Sequence, residues 1–453
     1  MLYFLPIFLI LYGITPARHR NTTLLIGSLV FYACGDVKYL PILGCSILVN
    51  YTVGLNLSPP RRKNGEKTEK RQKKEKLNRQ RKILLAVAVT GNVSVLVLFK
   101  ILSQNGQLPL GISFYTFQAI SYLIDVYRGK VPKEQSCQRF SVYISMFPQL
   151  GAGPIVCYEE VRQNLKQRNF CPAGVQDGLK LFIMGLASKV LLADRIGLLW
   201  QQVQTVGVES ISCAYAWMGA LAFSMKIYFD FYGYSLMAKG LGRILGFELP
   251  ENFNHPYMAV SVRDFYRRWH MTLSRWFCRY VYIPLGGSRE GEWRTVCNLF
   301  LVWLLTSLWH GFSWNFLLWG GLLWACIVLE RQLERLGITK KWKMLSHLWV
   351  WIFIPVTWMC FAITDFNQLG IYLGRMFGVV EGINVRANDW IIALGDYWYL
   401  LAAAFLACTP LVQKLYRKGK DTVWGMVILA ALFWVCVWRI DIEGNNPFMY
   451  LGF

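Results

Sequence analysis

The sequence predicts an all-α protein that crosses a lipid bilayer many times. Three observations carry this. Hydrophobic residues make up 55% of the 453 positions and charged residues only 16%, well below the usual share in soluble domains. Apolar stretches near spanning length recur from end to end. The charge that gives a net +22 is gathered between those stretches rather than spread over them.

Residues 1–15 are apolar with no basic residue before them, which predicts a retained first helix rather than a cleaved secretory signal. Further spans are expected at 24–32, 39–57, 83–102, 179–196, 214–231, 348–362, 398–412 and 423–437. Several are short, and their flanks must complete the crossing, for about nine to eleven transmembrane helices in all.

Residues 61–82 hold twelve Lys/Arg against three Glu, and smaller basic clusters sit at 18–20, 162–168, 331–343 and 414–420. Cations confined to loops between spans are the positive-inside pattern, so these loops are expected in the cytoplasm. Attraction to anionic headgroups accounts for the remainder, and no nucleic acid is expected as a partner. The parity closes with the N-terminus outside, three crossings before residue 61, an outer turn at 381–389 and the C-terminus outside. The twelve cysteines contain no CxxC pair. They read as small buried hydrophobes, with neither a zinc site nor a disulfide framework.

Residues 295–329 break the pattern of single spans. As one helix they would run about 50 Å, too long for a hydrocarbon core of about 30 Å. Basic residues at both ends place both ends on one side, so the stretch must turn round at Trp309-His310-Gly311, with Gly311 supplying the bend. His310 is then the only histidine, acid or base in thirty-five residues, at the far point of a hairpin. An ionisable residue there is a functional candidate; the bland alternative is a neutral ring bonded to a neighbouring helix. Ser307, Ser313 and Asn315 are expected to orient it. Trp309, Trp314 and Trp319 are expected around it, as packed core or as walls for an acyl chain.

Residues 261–284 place Arg263, Arg267, His270 and Ser274 on one helical face and Phe265, Trp269, Leu273, Trp276 and Tyr280 on the other. This predicts an amphipathic helix in the cytoplasmic interface. The sharper reading is an arginine-lined entry for an anionic donor, with His270 near the reacting end. Residues 145–156 carry Pro148, Gly151, Gly153 and Pro154, and so predict a re-entrant loop around a cavity or a kinked helix. Asp230 is a rare acid expected to bond an arginine or to mark the interface. His19, His255 and His347 are given no chemistry.

Six stretches together resemble the membrane-bound O-acyltransferase family. They are PLGISFYTFQAISYLIDVYRG from Pro109, FPQLGAGPIV from Phe147, GLGRILGFELPENFNHPY from Gly240, RDFYRRWHMTLSRWF from Arg263, YIPLGGSR from Tyr282 and SLWHGFSWNFLLWG from Ser307. The resemblance is narrowest to the bacterial branch of alginate O-acetylation and D-alanyl-lipoteichoic acid proteins, which the ending PFMYLGF also resembles. It implies one membrane-embedded domain over 1–453. Within it, 1–57 are N-terminal helices, 58–82 a basic cytoplasmic loop, 109–329 the motif core and 347–453 the C-terminal helices. Spanning, re-entrant and interfacial helices would surround a central funnel or tunnel.

The resemblance further implies acyl transfer, most often acetyl, from a cytoplasmic thioester such as acetyl-CoA to hydroxyls of an extracytoplasmic glycan. The setting would be a bacterial cytoplasmic membrane, with an extracytoplasmic acetyltransferase as partner and no bound cofactor. His310 aligns with the membrane-embedded catalytic histidine and His270 with the second family histidine. His310 is then expected to take the proton of the attacking hydroxyl, or to be acylated itself. Asn315, Trp309 or His270 would meet the oxyanion. Three departures stand out: Leu236 replaces an acid, Tyr232 replaces a small residue in the same run, and Arg279 stands where Asp is common. His255 also replaces a common Tyr. The competing class, a transporter for a glycan or lipid, predicts inverted internal repeats and several acids or bases along a path. The sequence shows neither.

Overall fold

The computed structural model describes residues 3–59, 68–102, 108–151, 153–168, 170–337 and 343–443. It is helical throughout, with no strand among those residues. Among the described residues the chain falls into two compact units, one drawn from residues 3–179 and 238–250 and one from residues 180–237 and 251–443.

The first unit opens with α1 (Phe4–Ile14), α2 (Arg20–Asp36) and α3 (Leu40–Asn56). The apolar run Ala17–Asn56 is thus two helices, parted by a 3-10 turn at Val37–Tyr39. Three helices precede residue 61, in accord with the charge parity. Helix α4 (Thr68–Leu102) begins inside the expected basic loop 58–82, whose residues 60–67 lie outside the described ones. The loop is therefore shorter than its charge suggests, because Lys, Arg, Gln and Glu are good helix formers. Arg81 is buried and donates to Leu57 O (2.9 and 2.7 Å) and Tyr127 O (2.9 Å), holding two chain ends with one guanidinium.

Helix α5 (Ile112–Tyr127) is the core of this unit, with all but two of its sixteen residues buried. It starts at Gly111, whose φ is +69° and where a Cβ would lie 2.0 Å from Leu150 O. Only glycine fits there. After α6 (Cys137–Ser145), the breaker-rich stretch is a four-residue helix, α7 (Phe147–Leu150), followed by irregular backbone at residues 151 and 153–156. Protein packs around it. Phe147 N–H donates to Ser28 Oγ, and Tyr143 Oη donates to Val156 O. Irregular backbone is tolerated where protein satisfies it. Helices α8 (Tyr158–Lys166) and α9 (Pro172–Ala187) follow.

The expected span 179–196 is interrupted by a π-helical segment, Ser188–Ala193, before α10 (Asp194–Val206). That segment carries Lys189, which pairs with Asp194 and with Asp230 at 3.1 Å. Asp230 is 3% exposed within α11 (Cys213–Ile244); it bonds a lysine rather than the expected arginine, because the π-helical segment packed against it carries Lys189.

Residues 261–284 are not one interfacial helix. They form α12 (Val262–Arg268) and α13 (Met271–Phe277), each seven residues long, followed by a π-turn at Cys278–Tyr282. Their aromatic face is covered by protein rather than by lipid. The Trp269 ring lies tilted 5.1 Å from that of Trp358, and Phe265, Trp276 and Tyr280 are buried.

The turn-round is confirmed as two full helices, α14 (Glu292–His310) and α15 (Trp314–Arg335). At ~1.5 Å per residue each is long enough to cross. Gly311 is extended (φ 168°, ψ 170°), so the bend does not need a left-handed glycine. A Cβ there would lie 2.7 Å from the Phe316 ring, which is why a side chain is excluded.

Then come α16 (Lys343–Ala362), α17 (Phe366–Met376), α18 (Asp389–Cys408), α19 (Pro410–Gly419) and α20 (Val423–Glu443). The span expected at 398–412 is Asp389–Cys408, stopped where Thr409 caps α19 and Pro410 opens it. Six segments among the described residues are long and apolar enough to cross a membrane. The first expected crossing is the shorter apolar helix Phe4–Ile14, and those expected at 179–196 and 214–231 carry buried polar groups such as Lys189 and Asp230.

Candidate functional site

Two short helices meet at a break, and the break is built by residues 252–254. Met271 N–H donates to Asn252 O (2.8 Å), and Asn254 N–H donates to Arg268 O (2.9 Å). His270 sits at the break in the left-handed region, φ +45°. Its Nδ1 lies 3.0 Å from Asn252 Oδ1, and the Phe231 ring stands edge-on at 4.7 Å. The ring is 2% exposed. Burial pushes its pKa down to about 3, because a charge there would lose its hydration.

Glu330 on α15 locks α12 in place. Its carboxylate accepts from the backbone N–H groups of Val262 (2.7 Å) and Arg263 (3.1 Å). These are first-turn donors that a helix cannot satisfy internally.

His310 ends α14 and is half-buried. Its ring lies 4.6 Å from Trp309, 5.2 Å from Trp319, 5.0 Å from Phe361 and 6.0 Å from Phe316. Helices α14 and α15 approach closely at Gly320, where a Cβ would lie 1.9 Å from Ser307 Oγ and 3.1 Å from Trp303 O.

A cavity of about 390 Å³ joins these parts within the second unit. Both histidines line it. So do Arg263, Arg267 and Ser274 from the broken helix, and Arg331 from α15. Trp303, Trp319, Trp358 and Phe361 supply aromatic wall. The guanidiniums differ in what they already hold. Arg263 pairs with Glu334 (2.5 Å) and Arg331 with Glu292 (3.0 Å). Arg267 is exposed and has no acidic partner among the described residues. The cavity therefore offers one uncommitted cation, an apolar interior and two imidazoles.

Comparison with known proteins bears on this arrangement. Residues 133–367 match the model of the membrane-bound O-acyltransferase family. The chain belongs to that family.

Among relatives of this acyltransferase, the probable alginate O-acetylase of Pseudomonas putida is 34% identical, over 99% of this chain and 98% of the relative. That of Azotobacter vinelandii is 35% identical, over 86% of this chain and 77% of the relative. The peptidoglycan O-acetyltransferase of Helicobacter pylori is 33% identical, over 87% and 82%. The protein is thus a multi-pass membrane O-acyltransferase.

The fold of this acyltransferase brings five of the residues singled out from sequence to one cavity: His310, His270, Arg263, Arg267 and Ser274. It does so although the helix expected to align four of them is broken. Two others are placed differently. Asn315 is fully buried, donates to Phe361 O (3.0 Å) and is not part of the cavity wall. Trp309 is buried, 6.3 Å from the His270 ring, and is also off the wall. Trp314 does not surround His310; it is 74% exposed. Ser307 turns its hydroxyl to Trp303 O instead of to the histidine. Asn252, Glu330, Trp358 and Phe361 went unassigned. Asn252 stood in a quoted motif without a role, and the others lie on helices whose sequence gives no sign that they face a cavity.

Proposed function

We propose that this O-acyltransferase moves an acetyl group from a cytoplasmic thioester, acetyl-CoA, to hydroxyls of an extracytoplasmic polysaccharide across a bacterial cytoplasmic membrane. An extracytoplasmic acetyltransferase is the partner that completes delivery to the glycan. The observation that carries the reading is the joining of two imidazoles, an uncommitted guanidinium and an aromatic interior in one cavity. The relatives named as alginate and peptidoglycan O-acetylases support acetyl as the group and a glycan as the acceptor.

A hydroxyl is a poor nucleophile at neutral pH and needs a base at its proton. In this reading the hydroxyl oxygen attacks the thioester carbonyl carbon while His310 takes the proton. The C–O bond forms, the C–S bond breaks, and the thiolate leaves with the proton returned from His310. Arg267, free of any carboxylate among the described residues, receives a phosphate of the donor.

The test is the O-acetyl ester content of envelope glycans in cells carrying wild-type, His310→Ala or His310→Gln protein at equal membrane levels. Ester is expected from the wild type and from neither variant, since glutamine cannot take up a proton. Substantial ester in both variants overturns the role of His310. Ester that is independent of the wild-type protein overturns acetyl transfer to glycan.

A further inference from the structure

We propose that α19 lies along the cytoplasmic membrane surface with its basic side on anionic phospholipid headgroups, and that through Gln413 this contact steadies the loop that builds the break at His270. The lipid contact stands by itself. Its effect on the donor site rests on the acetyl-CoA reading.

A single residue, Thr409, separates α18 from α19, and three residues separate α19 from α20. Both ends of α19 are therefore held where apolar spans leave the bilayer, on the side that its cations mark as cytoplasmic. Exposed apolar side chains flank it. Phe405 and Leu406 belong to the last turn of α18, and Val423 and Trp424 to the first turn of α20. Tryptophan is favoured at headgroup level.

At about 3.6 residues per turn, α19 has three sides. One meets protein: Gln413 Oε1 lies 3.0 Å from His255 Nε2, and Asp421, just past the helix, pairs with the buried Lys180 at 2.6 Å. The second is apolar, with Leu411 and Leu415 exposed one turn apart. The third carries Lys414, Arg417 and Lys418, all exposed and without an ion pair among the described residues. Leucines beside cations on a short helix between two spans fit the membrane interface. There the leucines enter the acyl boundary and the cations meet phosphate. The lipid-facing surfaces of α18 and α20 run directly into this helix, which favours lipid over an acidic protein as the occupant.

The protein side leads to the cavity. His255 has φ +46°, a left-handed conformation that a residue other than glycine keeps only when its surroundings hold it. It follows the residues that interrupt 261–284: Asn252 O accepts from Met271 N–H, and Asn254 N–H donates to Arg268 O. Those bonds set where α12 ends and α13 begins, and so where Arg263, Arg267 and Ser274 stand on the cavity wall. A helix fixed on the membrane thereby holds, by one side-chain hydrogen bond, the loop that shapes the cationic part of the cavity.

Full-length protein in nanodiscs tests this. With the twelve native cysteines replaced, a fluorophore on Leu415→Cys is exposed to nitroxide-labelled phosphatidylglycerol or phosphatidylcholine. Phosphatidylglycerol should quench about fivefold more effectively. The preference should fall with added salt and vanish in the triple variant Lys414→Gln, Arg417→Gln, Lys418→Gln. Gln413→Leu should keep it. In kinetics, exchanging phosphatidylcholine for phosphatidylglycerol should lower KM for acetyl-CoA about threefold in the wild type. The same exchange should raise it in Gln413→Leu, because an anionic surface by itself repels an anionic thioester.

Equal quenching by the two lipids overturns recognition of the headgroup charge. Quenching by neither overturns the placement in the interface and leaves α19 open to an acidic protein. A KM that rises with phosphatidylglycerol in both proteins overturns the link through Gln413. A wild-type protein that transfers no acetyl group overturns the functional reading instead, and the quenching ratio still judges the lipid contact.

Discussion

At the residue scale, the chemistry of a side chain here depends on what it already holds. Three arginines line the cavity, yet Arg263 and Arg331 are offset by Glu334 and Glu292. A guanidinium bound to a carboxylate must break that pair to bind a phosphate, whereas Arg267 need not. Arg267→Ala should therefore raise KM for an anionic thioester by about ten- to a hundredfold, the worth of a hydrogen bond to a charged group. The effect should shrink as salt is added. Its neighbour Arg268 is paired with Asp264 at 3.0 Å and is not on the cavity wall. Arg268→Ala should change KM by less than about threefold. Equal effects of the two substitutions would mean that general positive charge, not Arg267, binds the donor. The sequence made Arg263 and Arg267 equivalent, since both sit on one helical face. The acid that separates them, Glu334, lies 71 positions from Arg263 in the chain.

At the element scale, the α14–α15 hairpin depends on close packing below the turn. Gly320 has no room for a side chain, because Ser307 Oγ and Trp303 O occupy the position of its Cβ. Its neighbour Gly321 has nothing within 4 Å. Gly320→Val should destabilise the protein by about 2 kcal/mol, as overpacking does, and should displace His310 at the hairpin's end. Gly321→Val should be near neutral. Thermal unfolding in detergent checks both, and similar losses would remove the packing argument.

The hairpin itself was legible from length and charge, because thirty-five apolar residues flanked by basic loops have few other solutions. The break at His270 was not. Nothing in residues 261–284 forbids a continuous helix. The interruption is imposed by two backbone hydrogen bonds, one accepted by Asn252 O and one donated by Asn254 N–H. Helical periodicity nonetheless gathered the right side chains, since Arg263, Arg267, His270 and Ser274 all reach one cavity.

At the scale of the whole molecule, charge sets orientation. The segments after α15 and after α18, the latter being helix α19, are basic and the turn near residue 381 is not, so the protein should sit with the former inside. In a background with the twelve native cysteines replaced, Glu381→Cys should react with an impermeant maleimide on intact spheroplasts. Lys418→Cys should react only after permeabilisation. The reverse pattern would invert the proposed donor and acceptor sides.

The sequence by itself determined that this is an all-α membrane protein, where its chain reverses, which family it resembles and which two histidines to examine. Those properties are written in local composition, because burying apolar length in lipid and keeping lysine and arginine on one side act on contiguous segments. Only the tertiary structure decided which arginine remains uncommitted, that Asn315 and Trp309 stand off the cavity, and that Asn252 fixes the His270 ring. Each depends on partners distant in the chain, and hydrogen bonds and ion pairs act between atoms about 3 Å apart whatever their separation in sequence.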